Sequence, residues 1–174
     1  VAQLFDRGNL PAVEGDDAGG FLAAMLKRMQ PQRGDGGGIG MAENAEHPAF
    51  LAQAVAKRQV AAGRGGKQIH LLSVRAQLGM ARNGYSAYCA SKGALVMLVK
   101  QHAGELAPHG ICVNGIAPTV VATEAARSWF EDKERYRRLL ERIPLGRVAQ
   151  PADIAGAALF FASAASDFVT GQVL

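Results

Sequence analysis

The sequence predicts an α/β fold, an incomplete open parallel sheet wound on both faces by helices. Three observations point there. Helical and strand signals alternate from Pro48 onward, the strand-like segments are short apolar runs, and 174 residues with 49% hydrophobic and 20% charged side chains suit one globular core. A chain of this size buries roughly 70% of the surface its extended form exposes, which needs neither disulfide nor metal.

Residues 1–48 form an atypical glycine-rich segment, with Gly19-Gly20, Gly36-Gly37-Gly38 and Pro31, and its one strongly helical piece is FLAAMLKRM at 21–29. No β-branched run there predicts a strand. From 49 to 174 the pattern is regular. Pro48 suits a first helical turn, and Phe50, Leu51, Ala54, Val55 and Arg58 follow at helical spacing until Gly63, Gly65 and Gly66. KQIHLLSV at 67–74 reads as a buried strand. A loop through Gly79 and Gly84 leads to a long helix over 85–106, which Pro108 and Gly110 end. ICVNGI at 111–116 is the next strand, closed by Pro118. A charged amphipathic helix is expected over 124–142, then one over 151–161 opened by Pro151, and a last strand over 168–174 broken by Gly171.

Composition excludes several classes of function. The net charge of +4 and pI of about 9.3 come from residues that do not gather in one stripe. Lys133, Arg135, Arg137, Arg138 and Arg142 alternate with Glu131, Asp132, Glu134 and Glu141, the pattern of a solvated helix face, so no nucleic-acid partner is expected. The longest apolar stretch, 155–165, is too short to span a bilayer, so no membrane partner is expected. Cys89 and Cys112 are too few for a disulfide scaffold and lack metal-ligand spacing, so no metal is expected and a reducing, cytoplasmic setting is. The start VAQLFDRGNL has no targeting character. His70, inside a strand, reads as a packed core histidine.

The chemistry concentrates in Ser73, Tyr88 and Lys92. Ser73 ends a strand, at the sheet rim where open parallel sheets bind ligands. Tyr88 and Lys92 are four residues apart on the next helix and share a face, so the ammonium can approach the phenol. A neighbouring cation favours the phenolate and brings the phenol closer to acid–base work near neutrality. A serine hydroxyl beside it can hold the oxygen being protonated.

On these residues the sequence resembles the short-chain dehydrogenase/reductase family. GGKQIHLLSVRAQLGMARNGYSAYCASKGAL is similar to the family's strand, serine loop and catalytic helix. HGICVNGIAPTVVATE is similar to its next strand and the turn that meets the nicotinamide, and IPLGRVAQPADIAGAALFFASAASDFVTGQVL to its C-terminal helix and last strand. The resemblance covers residues 49–174 and implies a Rossmann-like sheet and an NAD(P)-dependent oxidoreductase acting on a small alcohol or carbonyl compound. It implies that Ser73 positions the substrate oxygen, that Tyr88 exchanges its proton, and that Lys92 lowers the Tyr88 pKa and bonds the nicotinamide ribose. Pro118, Thr119, Val120 and Val121 would flank the nicotinamide, with Val120 or Val121 meeting its carboxamide and Thr123 near the diphosphate. It further implies a homo-oligomer paired through the helices at 49–62 and 85–106, and a substrate-specificity region around Trp129, Phe130, Leu139 and Leu140.

The chain departs from the family in several places. Ser73 and Tyr88 are fifteen residues apart, slightly more than usual, a difference the loop 80–83 absorbs. Leu72 stands where a second serine is frequent. Thr119 stands where glycine is usual, which should strain or shift the turn. Gly34-Asp35-Gly36-Gly37-Gly38-Ile39-Gly40 formally fits a phosphate-binding glycine turn, yet Gln30-Pro31-Gln32-Arg33 cannot be the apolar strand that should feed it, so the run reads as a linker. Asn44-Ala45 is the nearest remnant of the family's Asn-Asn-Ala-Gly segment. The first three or four strands have no counterpart, which predicts an unpaired edge on the strand holding Ile69 and a truncated or rearranged version of a longer enzyme. The alternative to an active oxidoreductase is a catalytically inactive remnant serving only as an oligomerising module.

Overall fold

A computed structural model describes residues 2–5, 45, 47–79 and 84–174. In chain order these residues form β1 (Ala2–Phe5), α1 (His47–Ala62), β2 (Gly66–Leu71), α2 (Ser86–Leu106), β3 (Ile111–Ile116), α3 (Arg127–Glu131), α4 (Lys133–Leu140) and α5 (Pro151–Ala162), joined in part by single 3-10 turns. The helical piece expected at 21–29, the glycine run 34–40 and the loop 80–83 lie outside the described residues.

The sheet order is β1-β2-β3. Strands β2 and β3 run parallel, with Gly66 opposite Ile111 and Leu71 opposite Ile116. Beyond β3 the C-terminal segment continues the sheet in the same direction. Val173 bridges Gly115, and the Gly115 and Ala117 N–H groups donate to Gln172 and Leu174 carbonyls at 2.8 and 2.7 Å. The last strand is therefore a ragged bridged segment, because Gly171 sits at a positive φ of 72° and admits little regular ladder. At the opposite edge β1 pairs antiparallel with β2, Ala2 opposite His70. This corrects two expectations: the N-terminal segment does contribute a strand, and the edge of β2 is paired. Four residues with no β-branched side chain carry almost no strand propensity of their own, so the pairing is a tertiary effect.

Side-chain alternation splits the core between the two faces. Ile69, Leu71 and Ile116 pack with Ile154 and Phe161 of α5 on one side. Leu72, Ile111 and Val113 pack with Leu95, Val96, Val99 and Ala103 of α2 on the other. Both strands are buried along their whole length, as expected of a sheet covered on both faces. Close approach dictates glycine where the turn entering β2 meets the end of α2. A Cβ on Gly65 would lie 2.6 Å from the Gly110 carbonyl oxygen, and Gly66 N–H donates to that oxygen at 3.2 Å.

Buried polar groups staple the layers. Asn114 donates to the Val169 carbonyl at 2.8 Å and accepts from Gln172 N–H at 3.0 Å, tying the C-terminal segment to β3. Lys67, 3% exposed, places Nζ 3.0 Å from both Ser166 Oγ and Asp167 Oδ1. The helix expected over 124–142 breaks in two. Asp132 adopts an extended conformation with ψ 103° and its Oδ1 accepts from Arg135 N–H at 3.0 Å, capping α4.

Candidate active site

The carboxyl ends of β2 and β3 converge. Leu72 N–H donates to Ile116 O at 2.7 Å and Val74 N–H to Pro118 O at 3.1 Å, so the loop after β2 and the turn after β3 are joined through their backbones. Ser73 leaves β2 in an extended conformation and caps the 3-10 turn Val74–Ala76, its Oγ accepting from Arg75 N–H at 3.2 Å. That turn rests on α2 where Gly93 leaves room, a Cβ there lying 3.7 Å from the Ala76 carbonyl oxygen.

The helix then brings up the phenol. Tyr88 and Lys92 occupy one face of α2, with Nζ 5.7 Å from the centre of the Tyr88 ring. The Ser73 hydroxyl is near enough to the phenol to act on it as a hydrogen-bonding neighbour. Ser91, fully buried behind them, donates from Oγ to the Tyr88 carbonyl at 2.8 Å and anchors this turn of helix. The three residues singled out by spacing thus stand together at the rim of the sheet, all half-buried.

Their electrostatics differ from the simple expectation. Burial pushes the Tyr88 phenol above its ordinary range, opposed by the Ser73 hydrogen bond and, more weakly, by the positive charge of Arg75. The expected lowering by Lys92 is not what governs it. The ammonium lies toward the ring, and burial holds its own pKa below the usual lysine range. Arg75, a cation two residues from Ser73, is the group that spacing arguments missed. Its signal in the sequence is a basic residue just past a strand's carboxyl end.

The turn after β3 carries the remaining candidates. Pro118 is held by its carbonyl, and Thr119 stands exposed beside it. Val121 forms a parallel bridge with Ala149, made by Ala122 N–H to Ala149 O at 2.7 Å and Ala149 N–H to Val120 O at 3.1 Å. In such a bridge Val121's own N–H and C=O point away from Ala149, and its carbonyl accepts from Thr123 N–H at 2.8 Å. Val121 therefore directs its N–H away from Ala149, and Val120 has its carbonyl engaged. Phe130 packs edge-on to Tyr136 with ring centres 5.6 Å apart, and Leu139 is buried, so both have structural contacts. Among the described residues no cluster of His, Cys, Asp or Glu could hold a metal, and no helix is long and apolar enough to cross a membrane. Cys112 is buried, whereas Cys89 is only half-buried.

Comparison with known proteins gives a consistent set of relatives. The family described as enoyl-(acyl carrier protein) reductase matches residues 25–174. The gluconate 5-dehydrogenase of Gluconobacter oxydans is 41% identical over 134 residues, 77% of this chain and 51% of that protein. The L-xylulose reductase of Mesocricetus auratus is 40% identical, over 71% of this chain and 50% of its own length. Among solved structures, a putative 2-deoxy-D-gluconate 3-dehydrogenase from Agrobacterium tumefaciens with bound NADP superposes with a TM-score of 0.72 at 40% identity, covering 75% of this chain and 52% of that one. A gluconate 5-dehydrogenase from Burkholderia cenocepacia, in complex with NADP and tartrate, gives 0.68 at 44% identity, covering 72% and 49%. The chain spans about half the length of the curated relatives it matches.

Proposed function

Because the chain belongs to the short-chain dehydrogenase/reductase family, we propose that it carries the proton-transfer site of an NAD(P)-dependent oxidoreductase interconverting a polyhydroxy alcohol and its carbonyl partner. One observation carries the reading: the Tyr88 phenol next to Ser73, with Lys92 one helical turn further, beside a Pro118 turn fixed to the same loop. The relatives named for gluconate and L-xylulose support the substrate class, and the NADP in two solved relatives supports the cofactor.

In the oxidative direction a nicotinamide cofactor, when bound, would supply the acceptor for the carbinol hydrogen and its two electrons. The hydroxyl proton leaves for Tyr88 Oη, so oxidation is balanced by one hydride and one proton. Ser73 Oγ holds the substrate oxygen while that proton moves, and stabilises charge on it. Lys92 would extend toward the ribose. Pro118 and Thr119 would flank the nicotinamide ring, Val121 N–H would meet its carboxamide, and Thr123 would lie toward the diphosphate. We also read the protein as cytoplasmic, supported by two free thiols, and as a homo-oligomer associating along α1 and α2, supported by the apolar groove between them.

The test is titration with NADPH, followed by intrinsic fluorescence, and assay of Tyr88→Phe. A saturable change is expected in both proteins, with affinities within about twofold, and turnover in the variant down about 10²- to 10⁴-fold. No saturable change overturns the proposal and leaves the inactive module, and turnover retained by the variant overturns the role assigned to Tyr88.

A further inference from the structure

Arg75 is placed where neither the fold nor proton transfer requires a cation. Its backbone N–H bonds the Ser73 hydroxyl oxygen at 3.2 Å, so it belongs to the turn that presents the proposed substrate-positioning group. Its guanidinium is steered by the same loop, Nη1 reaching the Leu78 and Gly79 carbonyls at 3.3 and 3.4 Å. The residue is half-buried, and no carboxylate among the described residues pairs with it. Its charge also acts weakly on the Tyr88 phenol, so the guanidinium lies within electrostatic reach of it. A guanidinium carries five N–H donors in a rigid fork, and two loop carbonyls on Nη1 leave the rest of that fork unengaged by the loop. Keeping a cation half-desolvated with no counter-charge is unfavourable, and a carboxylate received in two parallel N–H···O bonds would offset it.

We infer that Arg75 is a carboxylate-binding residue of the substrate site, so that the substrate is a polyhydroxy acid whose carboxylate docks on Arg75 while a carbinol oxygen further along its chain sits between Ser73 and Tyr88. This rests on the oxidoreductase reading for the carbinol end, and on Arg75 alone for the carboxylate end. The loop carbonyls pre-orient the fork, so the acid end is recognised without rearrangement of the backbone.

The experiment compares D-gluconate with D-sorbitol, which differs from it by a CH2OH in place of the carboxylate. Calorimetric binding to the chain with NADP present is measured beside NADP-linked absorbance change, for the parent, Arg75→Met and Arg75→Lys. The expected result is a preference of tenfold or more for D-gluconate in the parent, abolished in Arg75→Met and partly kept in Arg75→Lys, where the charge remains but the fork is lost. No preference in the parent, or a preference that survives in Arg75→Met, overturns the inference. Turnover of both compounds without preference leaves the oxidoreductase standing and removes the subsite. Arg75-dependent binding of the acid without hydride transfer keeps the subsite and removes the oxidoreductase.

Discussion

His70 shows how far a single buried side chain can set the solution behaviour of this protein. It is 1% exposed on β2, and neither ring nitrogen has a partner among the described residues. Burial, helped by His102, pushes its pKa down to about 4 from an ordinary 6.5. The folded form therefore keeps His70 neutral while the unfolded chain takes up a proton between those two values. Stability contributed by the neutral ring is complete above pH 6.5 and is lost as the pH falls toward 4, by on the order of 3 kcal/mol. Urea midpoints measured from pH 7 to 4 should fall less steeply in His70→Leu than in the parent; parallel curves would refute the assignment. The sequence made this histidine readable as a core residue, since it lies inside an apolar strand. Tyr88 is the counter-example. Spacing shows that Lys92 shares its face, but only the packing reveals that desolvation outweighs the ammonium and raises the phenol.

At the scale of elements, the turn between α1 and β2 is a junction where backbone meets backbone closely. Gly63 and Gly65 both have positive φ, 64° and 69°, yet only Gly65 faces a backbone oxygen at 2.6 Å from its missing Cβ. Gly63→Ala should lose about 1 kcal/mol from backbone strain alone. Gly65→Ala adds a clash that neither backbone can relieve without giving up the Gly66–Gly110 hydrogen bond, and should lose about 1–3 kcal/mol more. Thermal unfolding of the pair decides it: equal losses would show that the close contact is relaxed at no penalty. Glycines at 63, 65 and 66 announce a helix stop in the sequence, but not which of them touches another chain segment. Element boundaries escaped prediction for similar reasons. Asp132 looks like one more charge on a solvated helix, and its capping of Arg135 N–H is visible only once the chain has turned. Strand β1 is held by the ladder of β2, which no local pattern encodes.

For the whole molecule, the groove of about 440 Å³ along α1 and α2 is lined by Ala56, Lys57, Val60, Ala61, His102 and Leu106 among others. It lies about 15 Å along α2 from Lys92, counting ten residues to His102, so association there leaves the proton-transfer site open. Sedimentation equilibrium should give a multiple of the chain mass for the parent and the single-chain mass for Ala61→Arg; an equal mass for both would exclude this face as the contact. The parallel core and the Ser73–Tyr88–Lys92 set were legible because strand runs, helix spacing and loop position all encode them locally. Arg75 was not, because its importance lies in which way a short turn points it. The Val74–Pro118 contact joins main chain to main chain across the two loops, so no side-chain replacement other than proline at 74 removes its donor. Mutation can retune what the cleft recognises while the separation between the proposed proton-transfer residues and the turn proposed to seat the cofactor stays as the backbone sets it, like the gauge of a track on which different carriages run.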